Sequence, residues 1–304
     1  MSDIFGKIQK LKKERNAVIL AHNYQRLEVQ DIADYVGDSL GLSSQAAKVQ
    51  ADVIVFCGVH FMAETAAILC PEKKVIMPEV KAGCPMANMI TVEKLANLKL
   101  QNPKAPVVCY VNTTAEIKAE SDICCTSANA VKVVRSLPDN EVIFVPDKYL
   151  GTYTQSKVPE KKLILFDGYC PTHANIFPEH IEQVRRAHPR ALVLVHPECR
   201  PEVTALADEV LSTGGMLKFV RGSERHEFII GTETGIIYTL QKQNPGKRFY
   251  PASERAVCPN MKMTTLEKVL WSLEDLKTEV AVSKPIADKA RKAIERMLEI
   301  GRQD

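Results

Sequence analysis

The sequence predicts an α/β fold made of three homologous three-layer α/β/α units, each with a short parallel sheet. Three observations predict it: short apolar segments alternate with helical ones, a cysteine-proline pair occurs in each third of the chain, and several residue types recur at matching spacing. Short apolar runs between helices are typical of buried parallel strands. We expect the three units to surround a pseudo-threefold axis with the active site at its centre.

Nine apolar segments are predicted as strands, three in each third of the chain. They are residues 17–21, 52–56, 74–77, 106–109, 141–144, 162–166, 191–195, 227–230 and 247–250. Apolar periodicity predicts helices between and after them. These are residues 3–15, 61–69, 91–100, 178–187, 265–277 and 285–299. Thr264 to Glu267 has the pattern of a capping box at the start of the clearest helix.

Three strand ends, at His22, Tyr110 and His196, mark equivalent points in the three units. In each case the next strand ends 34 residues later, a hydroxyl residue lies 17 residues later, and a cysteine-proline pair follows at 62, 60 and 62 residues. The hydroxyl residues are Ser39, Ser127 and Thr213, and the cysteines are Cys84, Cys170 and Cys258. Agreement at several offsets in three copies predicts an internal triplication.

The repeat suggests where the three units begin and end. We expect the first unit at residues 1–90 together with 265–304, the second at 91–177 and the third at 178–264. The two C-terminal helices have no strand after them, so they are expected to close the ring against the first unit.

Composition limits the classes of function. The chain has 304 residues, 45% hydrophobic and 25% charged residues, which is ordinary for a globular protein. A net charge of +3 gives no electrostatic reason to expect binding to nucleic acid or to a membrane. The opening residues lack a signal-peptide core and no segment reaches transmembrane length, so we expect a cytoplasmic protein. Nine cysteines without a C-x-x-C pair argue against a disulfide framework in that compartment.

Polar side chains follow the first predicted strand of each unit. In parallel sheets, ligands bind outside the carboxyl ends of strands. The side chains at these ends are His22, Tyr24, Tyr110, Asn112, His196 and Glu198. The pairs Asp38-Ser39, Thr126-Ser127 and Ser212-Thr213 are plausible helix N-caps, and helix N-termini bind anions. The sequence therefore predicts a substrate that carries several carboxylates or phosphates.

The three cysteine-proline pairs predict a metal centre with an open position. Structural zinc and ordinary iron–sulfur carriers use four protein ligands, usually close in sequence. Three thiolates on a [4Fe-4S] cluster leave one iron free to act as a Lewis acid, as a dehydratase requires. The remaining cysteines lie in or beside predicted strands and helices and are predicted to be small buried hydrophobes. They are Cys57, Cys70, Cys109, Cys124, Cys125 and Cys199.

Several alternatives stay open at this stage. The protein could be another iron–sulfur hydro-lyase, a non-enzymatic anion-binding protein with unmetallated thiols, or a structural zinc protein with His173 as a fourth ligand. Glu198 is a candidate general base, or a helix-start acid without a catalytic role. Ser39, Ser127 and Thr213 could be helix caps alone.

Eight motifs between about residues 16 and 278 resemble the quinolinate synthase family. They are Ala21-His-Asn-Tyr24, Val36-Gly-Asp-Ser39, Gly83-Cys-Pro-Met-Ala-Asn88, Tyr110-Val-Asn112, Cys125-Thr-Ser-Ala-Asn129, Cys170-Pro-Thr-His173, His196-Pro-Glu-Cys199 and Cys258-Pro-Asn-Met-Lys262. The resemblance implies condensation of iminoaspartate with dihydroxyacetone phosphate, losing phosphate and two waters, to give quinolinate in de novo NAD biosynthesis. It also implies a functional link to a second enzyme, which makes iminoaspartate from aspartate.

The resemblance also implies a role for particular residues. Cys84, Cys170 and Cys258 are implied ligands of an oxygen-sensitive [4Fe-4S] cluster. The implied substrate-binding residues are His22, Ser39, Tyr110, Val111, Asn112, Ser127, His196, Pro197, Glu198 and Thr213. The implied acid–base residues are Tyr24, Tyr110, His173 and Glu198. Some family members carry a redox-active C-x-x-C before the third ligand, whereas residues 252–257 read Ala-Ser-Glu-Arg-Ala-Val here, so we expect no such control.

Overall fold

The computed structural model describes residues 2–303 and contains three sheets of four parallel strands each. The first sheet holds β1 Ala17–His22, β2 Tyr35–Gly37, β3 Val53–Cys57 and β4 Lys74–Ile76. The second holds β5 Val107–Tyr110, β6 Ile123–Cys125, β7 Glu141–Val145 and β8 Lys162–Leu165. The third holds β9 Leu192–Val195, β10 Glu209–Val210, β11 Glu227–Gly231 and β12 Arg248–Pro251.

All three sheets have the same strand order. The orders are β2-β1-β3-β4, β6-β5-β7-β8 and β10-β9-β11-β12, so in each unit the second strand lies at one edge and the fourth at the other. The register also repeats, because Ala21 pairs with Cys57, Cys109 with Val145, and Val195 with Gly231. The predicted α/β fold of three repeated units is confirmed.

Helices connect the strands and cover both faces of the sheets. The α-helices are α1 Ser2–Glu14, α2 Leu27–Ile32, α3 Ser39–Lys48, α4 His60–Leu69, α5 Val92–Gln101, α6 Ala115–Ala119, α7 Ala130–Ser136, α8 Lys148–Lys157, α9 Pro171–Ala174, α10 Pro178–Ala187, α11 Pro201–Thr204, α12 Thr213–Gly222, α13 Ile236–Gln243, α14 Leu266–Asp275 and α15 Lys284–Ile300. A 3-10 turn spans Met261–Met263. Within residues 2–303, none of these helices is both long and apolar enough to cross a membrane.

The nine predicted strands are all present, and each sheet has one further strand that the sequence did not predict. These additional strands are β2, β6 and β10, with three, three and two residues. Each lies at a sheet edge and pairs with one neighbour only. A segment of two or three residues is too short to show a period, so its extended conformation comes from pairing rather than from its own pattern.

Each of these edge strands is preceded by an aspartate that ties it to the neighbouring central strand. The aspartate carboxylate accepts the backbone N–H of the residue 15 positions earlier. The pairs are Asp34 with Ile19 at 2.8 Å, Asp122 with Val107 at 2.7 Å and Asp208 with Val193 at 2.7 Å. The same hydrogen bond in three places is further support for the triplication.

Alternate residues of the central strands face different cores. In β1, Val18 and Leu20 belong to the largest buried cluster, which also includes residues of the second and third units. Ile19 and Ala21 belong to a smaller cluster with α1 and α14 on the outer face of the first sheet. The strand is therefore buried on both faces, as expected for a parallel sheet between two helical layers.

The C-terminal helices differ from the prediction in two respects. The N-cap of α14 is Thr265, whose hydroxyl accepts the N–H of Lys268, so the predicted capping box at Thr264 lies one residue too early. With two threonines in succession, the sequence does not show which one leaves the helix. Both helices were expected on the first unit; α14 packs against α1 and β3, whereas α15 packs mainly against α6 and β6 as well as α4.

The division of the chain into units remains a proposal. The three sheets fall within residues 1–90, 91–177 and 178–264, but α15 contacts elements of both the first and the second of these ranges. The ends of the proposed first unit, Met1 and Asp304, lie outside the described residues.

Candidate active site

A central cavity of about 180 Å³ lies at the carboxyl ends of the first strands of all three units. Its wall includes every residue predicted for the site except Val111 and Pro197. These lining residues are His22, Tyr24, Ser39, Cys84, Tyr110, Asn112, Ser127, Cys170, His173, His196, Glu198, Thr213 and Cys258. Side chains from positions far apart in the sequence thus meet around one space, as the repeat predicts.

Val111 and Pro197 are buried beside the lining residues but are not part of the wall. The backbone N–H of Val111 donates to the carbonyl of Cys125, which joins the end of β5 to the end of β6. A role of either side chain in substrate binding therefore rests on the family resemblance alone.

The three cysteines at equivalent repeat positions differ from the other six, of which Cys70 also precedes a proline, Pro71. Cys84, Cys170 and Cys258 are free and partly exposed, whereas the remaining six are free and buried, as predicted. Each of the three sulfurs accepts backbone N–H groups from the residues that follow the proline. The donors are Met86 and Ala87 for Cys84, His173 for Cys170, and Asn260 and Met261 for Cys258. Such donors favour a negatively charged sulfur, which is the form that binds metal.

Two buried acids that the sequence analysis missed hold the backbone of two of these cysteines. The Asp147 carboxylate accepts the N–H of Cys170 at 3.2 Å, and the Glu233 carboxylate accepts the N–H of Cys258 at 3.1 Å. Glu233 also pairs with the Lys262 ammonium at 2.9 Å. A signal was available: each acid lies 37 residues after its strand-end residue, Tyr110 or His196.

The donor set fits an iron–sulfur cluster. Burial raises the pKa of the Cys84 thiol to about 12 and also raises the pKa values of Cys170 and Cys258. Without a metal these thiols are protonated at neutral pH, and a metal that binds them releases the protons. Soft thiolate ligands select iron–sulfur clusters, zinc or Cu(I) rather than hard cations. A second group of three residues, Cys170, His173 and Glu198, has ligand atoms within 4.8 Å of one another and could hold a single ion.

Glu198 is the charged centre of the cavity wall. Its Oε2 lies 2.7 Å from Nδ1 of His173, and its Oε1 accepts from the Asn112 amide at 3.4 Å. Burial alone would raise the pKa of this carboxyl, but His173, His196 and the Tyr110 hydroxyl outweigh it and lower the pKa to about 2. Glu198 is therefore an ionised carboxylate that four neighbouring side chains hold in place.

A hydrogen-bonded chain connects Glu198 to Tyr24. Nε2 of His173 lies 2.8 Å from Oγ1 of Thr232, and this hydroxyl lies 2.5 Å from the Tyr24 hydroxyl. Burial raises the pKa of Tyr24, with a further contribution from the charge of Glu198, so the phenol keeps its proton. Thr232 is fully buried just after β11, and no pattern in the sequence marks it.

His22 and His196 occupy equivalent positions and have the same local geometry. Nδ1 of His22 accepts the N–H of Tyr24 at 3.2 Å, and Nδ1 of His196 accepts the N–H of Glu198 at 3.3 Å. Burial lowers the pKa of His22 to about 4 and that of His196 to about 3. Both imidazoles are therefore neutral at neutral pH, and with Nδ1 as acceptor the proton lies on Nε2.

The predicted N-cap pairs are Asp38-Ser39, Thr126-Ser127 and Ser212-Thr213, and in each pair the first residue accepts a backbone N–H. In α3 and α12 the first member is the N-cap: Asp38 accepts the N–H of Gly41 at 2.8 Å, and Ser212 accepts that of Gly215 at 3.0 Å. In the second unit Thr126 accepts the N–H of Ala128 at 3.2 Å, although α7 begins only at Ala130. The second members of the pairs line the cavity, and Asp38 and Thr126 line it as well. The second members are Ser39, Ser127 and Thr213.

The fold and the cavity define an α/β enzyme with one active site built by three repeats. A family model described as quinolinate synthetase A protein matches residues 6–299. The chain belongs to this family.

Curated relatives match the chain over almost its whole length. A quinolinate synthase of Dehalococcoides mccartyi is 61% identical over 297 residues, which cover 98% of each chain. A quinolinate synthase of Thermodesulfovibrio yellowstonii is 58% identical and covers 95% of each. A quinolinate synthase of Methanosarcina barkeri is 54% identical and covers 98% of each chain. The resemblance in the sequence motifs is thus confirmed over the whole chain.

Proposed function

We propose that this enzyme condenses iminoaspartate with dihydroxyacetone phosphate to give quinolinate, phosphate and two waters, in de novo NAD biosynthesis. The relatives named quinolinate synthase support this function. The observation that carries it is the meeting of one cysteine-proline loop from each repeat at a single cavity. The same wall carries an ionised glutamate and hydroxyl groups at the starts of helices.

The two substrates suit the polar groups of the wall. Iminoaspartate has two carboxylates and dihydroxyacetone phosphate has a phosphate, so the bound pair carries several negative charges. Ser39 and Thr213 are the first residues of α3 and α12, where free N–H groups and the helix dipole favour anions. The Nε2–H groups of His22 and His196 add neutral donors, which contribute hydrogen bonds without a charge.

Proton transfer is assigned to the Glu198–His173 pair and the two tyrosines. Glu198 is ionised and lies 2.7 Å from His173, so the pair can take a proton from substrate carbon or nitrogen as one unit. Tyr24 and Tyr110 stay protonated because burial raises the pKa of both, and they can donate to a leaving oxygen. Thr232 connects Tyr24 to His173 and would return the proton between steps.

Cys84, Cys170 and Cys258 would hold a [4Fe-4S] cluster. A cluster with three protein ligands supplies a Lewis-acidic iron that assists the loss of water. The buried acids Asp147 and Glu233 would fix the backbones of Cys170 and Cys258 before the cluster enters, through the N–H groups that they accept.

We place the enzyme in the cytoplasm, beside an enzyme that makes iminoaspartate from aspartate. An imine of this kind hydrolyses in water, so its source and its consumer have to work in the same compartment. The small net charge of +3 is compatible with small-molecule substrates and gives no reason to add a nucleic-acid or membrane partner.

The first test measures iron, sulfide and quinolinate on anaerobically purified protein. We expect about four irons per chain in the wild type, as this cluster type requires. Cys170→Ser is expected to lose iron and quinolinate formation together. Cys57→Ala is the matched control, because Cys57 is equally free but fully buried and does not line the cavity. The control should keep both iron and activity.

Other outcomes would contradict the proposal in distinct ways. Water loss from a hydroxy acid without phosphate release would indicate another iron–sulfur hydro-lyase. Colourless, iron-free protein would indicate an anion-binding protein with unmetallated thiols. One zinc per chain that depends on Cys170, His173 and Glu198 would indicate a mononuclear site. Full iron retention in Cys170→Ser would remove that residue from the centre.

A further inference from the structure

The last described residues cross the starts of the three helices that face the cavity. After α15 ends at Ile300, the N–H of Gln303 donates to the carbonyl of Ala128 at 2.9 Å, and its side-chain oxygen accepts the N–H of Lys132 at 3.1 Å. Arg302 reaches the first and third units from the same segment. One short segment, residues 301–303, therefore contacts the anion-binding end of the cavity in all three units.

Arg302 joins two helix caps. Its Nη1 donates to both carboxylate oxygens of Asp38, at 3.1 and 2.8 Å, and its Nη2 donates to the Ser212 hydroxyl at 3.1 Å. Asp38 caps α3 and Ser212 caps α12, so the guanidinium spans the two helix starts that carry Ser39 and Thr213. The Asp38 side chain is 9% exposed and that of Arg302 is 34% exposed, which places the cation on the solvent side of the acid.

The position of Asp38 creates an electrostatic difficulty for an anionic substrate. This carboxylate is buried and belongs to the cavity wall, directly before Ser39. A substrate carboxylate or phosphate at the helix starts would lie near a second negative charge in a water-poor site, where repulsion is weakly screened. A cation that faces the acid from outside offsets this repulsion without occupying the cavity.

Gly214 leaves the space in which the ion pair fits. A Cβ at this position would lie 2.5 Å from Oδ2 of Asp38 and in closer contact still with Nη2 of Arg302. Both atoms would have to shift to admit any side chain larger than hydrogen. Gly214, the second residue of α12, therefore makes room for the Asp38–Arg302 ion pair because it has no side chain.

We propose that Arg302 is a positioning residue that neutralises Asp38 and so keeps the anion-binding end of the cavity open to a carboxylate or phosphate. This inference rests on the proposed function, because it assumes that an anionic substrate binds at the helix starts. Arg302 acts through Asp38 and does not touch the substrate. The effect is on substrate and product affinity rather than on the chemical step.

The test is a double-mutant cycle on the cluster-loaded enzyme, with quinolinate as the binding probe in anaerobic calorimetry. Arg302→Ala is expected to raise the Kd of quinolinate and the KM of both substrates about tenfold, since a buried charge loses its partner. The kcat and the iron content should change little. Asp38→Asn keeps an oxygen that can cap α3 and is expected to bind quinolinate at least as tightly as the wild type.

The double variant separates charge neutralisation from a merely structural role. With Asp38→Asn present, Arg302→Ala should cost little further affinity, because residue 38 no longer carries a charge that needs to be neutralised. A double variant as weak as Arg302→Ala alone would overturn the proposal in favour of a structural role for the segment. An unchanged Kd in Arg302→Ala would also overturn it.

Two further variants complete the design. Arg296→Ala is the control, because this arginine of α15 donates to the Asp122 carbonyl instead, and it should leave the Kd unchanged. Gly214→Ala should raise the Kd as Arg302→Ala does. Quinolinate formation by the wild type is measured on the same preparation. An inactive wild type would contradict the proposed function, whereas an active wild type with an unaffected Arg302→Ala contradicts only this inference.

Discussion

His22 and His196 show how local geometry and burial together decide the state of a side chain. Each imidazole accepts a backbone N–H through Nδ1 and is fully enclosed, so the neutral form is favoured in both. Glu198 is enclosed as well, yet it stays ionised because the His173 imidazole and the Tyr110 hydroxyl face it. Burial therefore removes charge from the histidines and not from the glutamate, and the difference lies in the hydrogen-bonding partners.

The buried state of His22 predicts a pH dependence of stability. Its pKa falls from 6.5 to about 4 on folding, so between these values the unfolded chain binds a proton that the folded chain does not. Stability is therefore lost as pH falls through this window. The loss should reach about 2 kcal/mol at pH 5 for a group shifted this far. Glu198 contributes mainly below this window, because its pKa is lowered.

The measurement is thermal unfolding of anaerobic protein between pH 5.0 and 7.5. His22→Gln should remove about half of the stability loss between pH 7.5 and 5.0, because His196, whose pKa is lowered to about 3, contributes a similar amount in the same window. His226→Gln, at an exposed histidine, should leave the slope as in the wild type. The explanation fails for His22 if its substitution leaves the slope unchanged.

The structural elements repeat more closely than the sequence shows. Each edge strand is preceded by an aspartate that accepts an N–H of the central strand, and the three bonds differ by only 0.1 Å, from 2.7 to 2.8 Å. The cysteine-proline loops repeat less closely, since an acid holds the cysteine backbone in the second and third units, whereas Val59 takes the equivalent position in the first. The shared hydrogen bonds support the sheets, and the differences are at the cysteine-proline loops.

Asp122→Ala should destabilise the second unit. The substitution leaves the backbone N–H of Val107 without its acceptor at the start of a buried strand, which costs about 1–3 kcal/mol. Urea unfolding under anaerobic conditions gives the change in the free energy of unfolding. Glu254→Ala, at an exposed loop residue, should stay within about 0.5 kcal/mol of the wild type. Equal stability of the two variants would show that this hydrogen bond does not support the edge strand.

The whole molecule is organised around a centre that no single unit contains. The three cysteine-proline loops come from three repeats, and so do the three helix starts, which residues 301–303 contact. A cluster bound by Cys84, Cys170 and Cys258 would therefore cross-link loops that lie 86 and 88 residues apart in the chain. A cluster that binds only the folded chain stabilises it by mass action.

Removal of the cluster should therefore lower the stability of the whole protein. Treatment with a chelator and an oxidant, followed by desalting, is expected to lower the Tm of the wild type by at least about 5 °C. The iron-free Cys170→Ser variant should show no change under the same treatment. A wild-type Tm that does not respond to iron loss would show that the three loops are held in place by the protein alone.

The elements that the sequence predicts are those with a signal along the chain. The nine strands show as apolar runs, and the triplication shows as constant spacing from His22, Tyr110 and His196. Thr264 and Thr265 mark the limit of such signals, because two adjacent residues of one type leave the cap undetermined. The short edge strands give no such signal, because they are extended through pairing with a neighbouring strand and not through a residue pattern of their own.

By itself, the sequence determined the three-unit α/β fold, the three cysteine-proline loops and most of the cavity wall, because period and spacing are properties of the chain. Two contacts arise only in the folded chain: Thr232 connects Tyr24 to His173, and Arg302 pairs with Asp38. The residues of that last pair are 264 positions apart and share no period. Their contact comes from the packing of α15 and the tail that follows it, which local patterns do not encode.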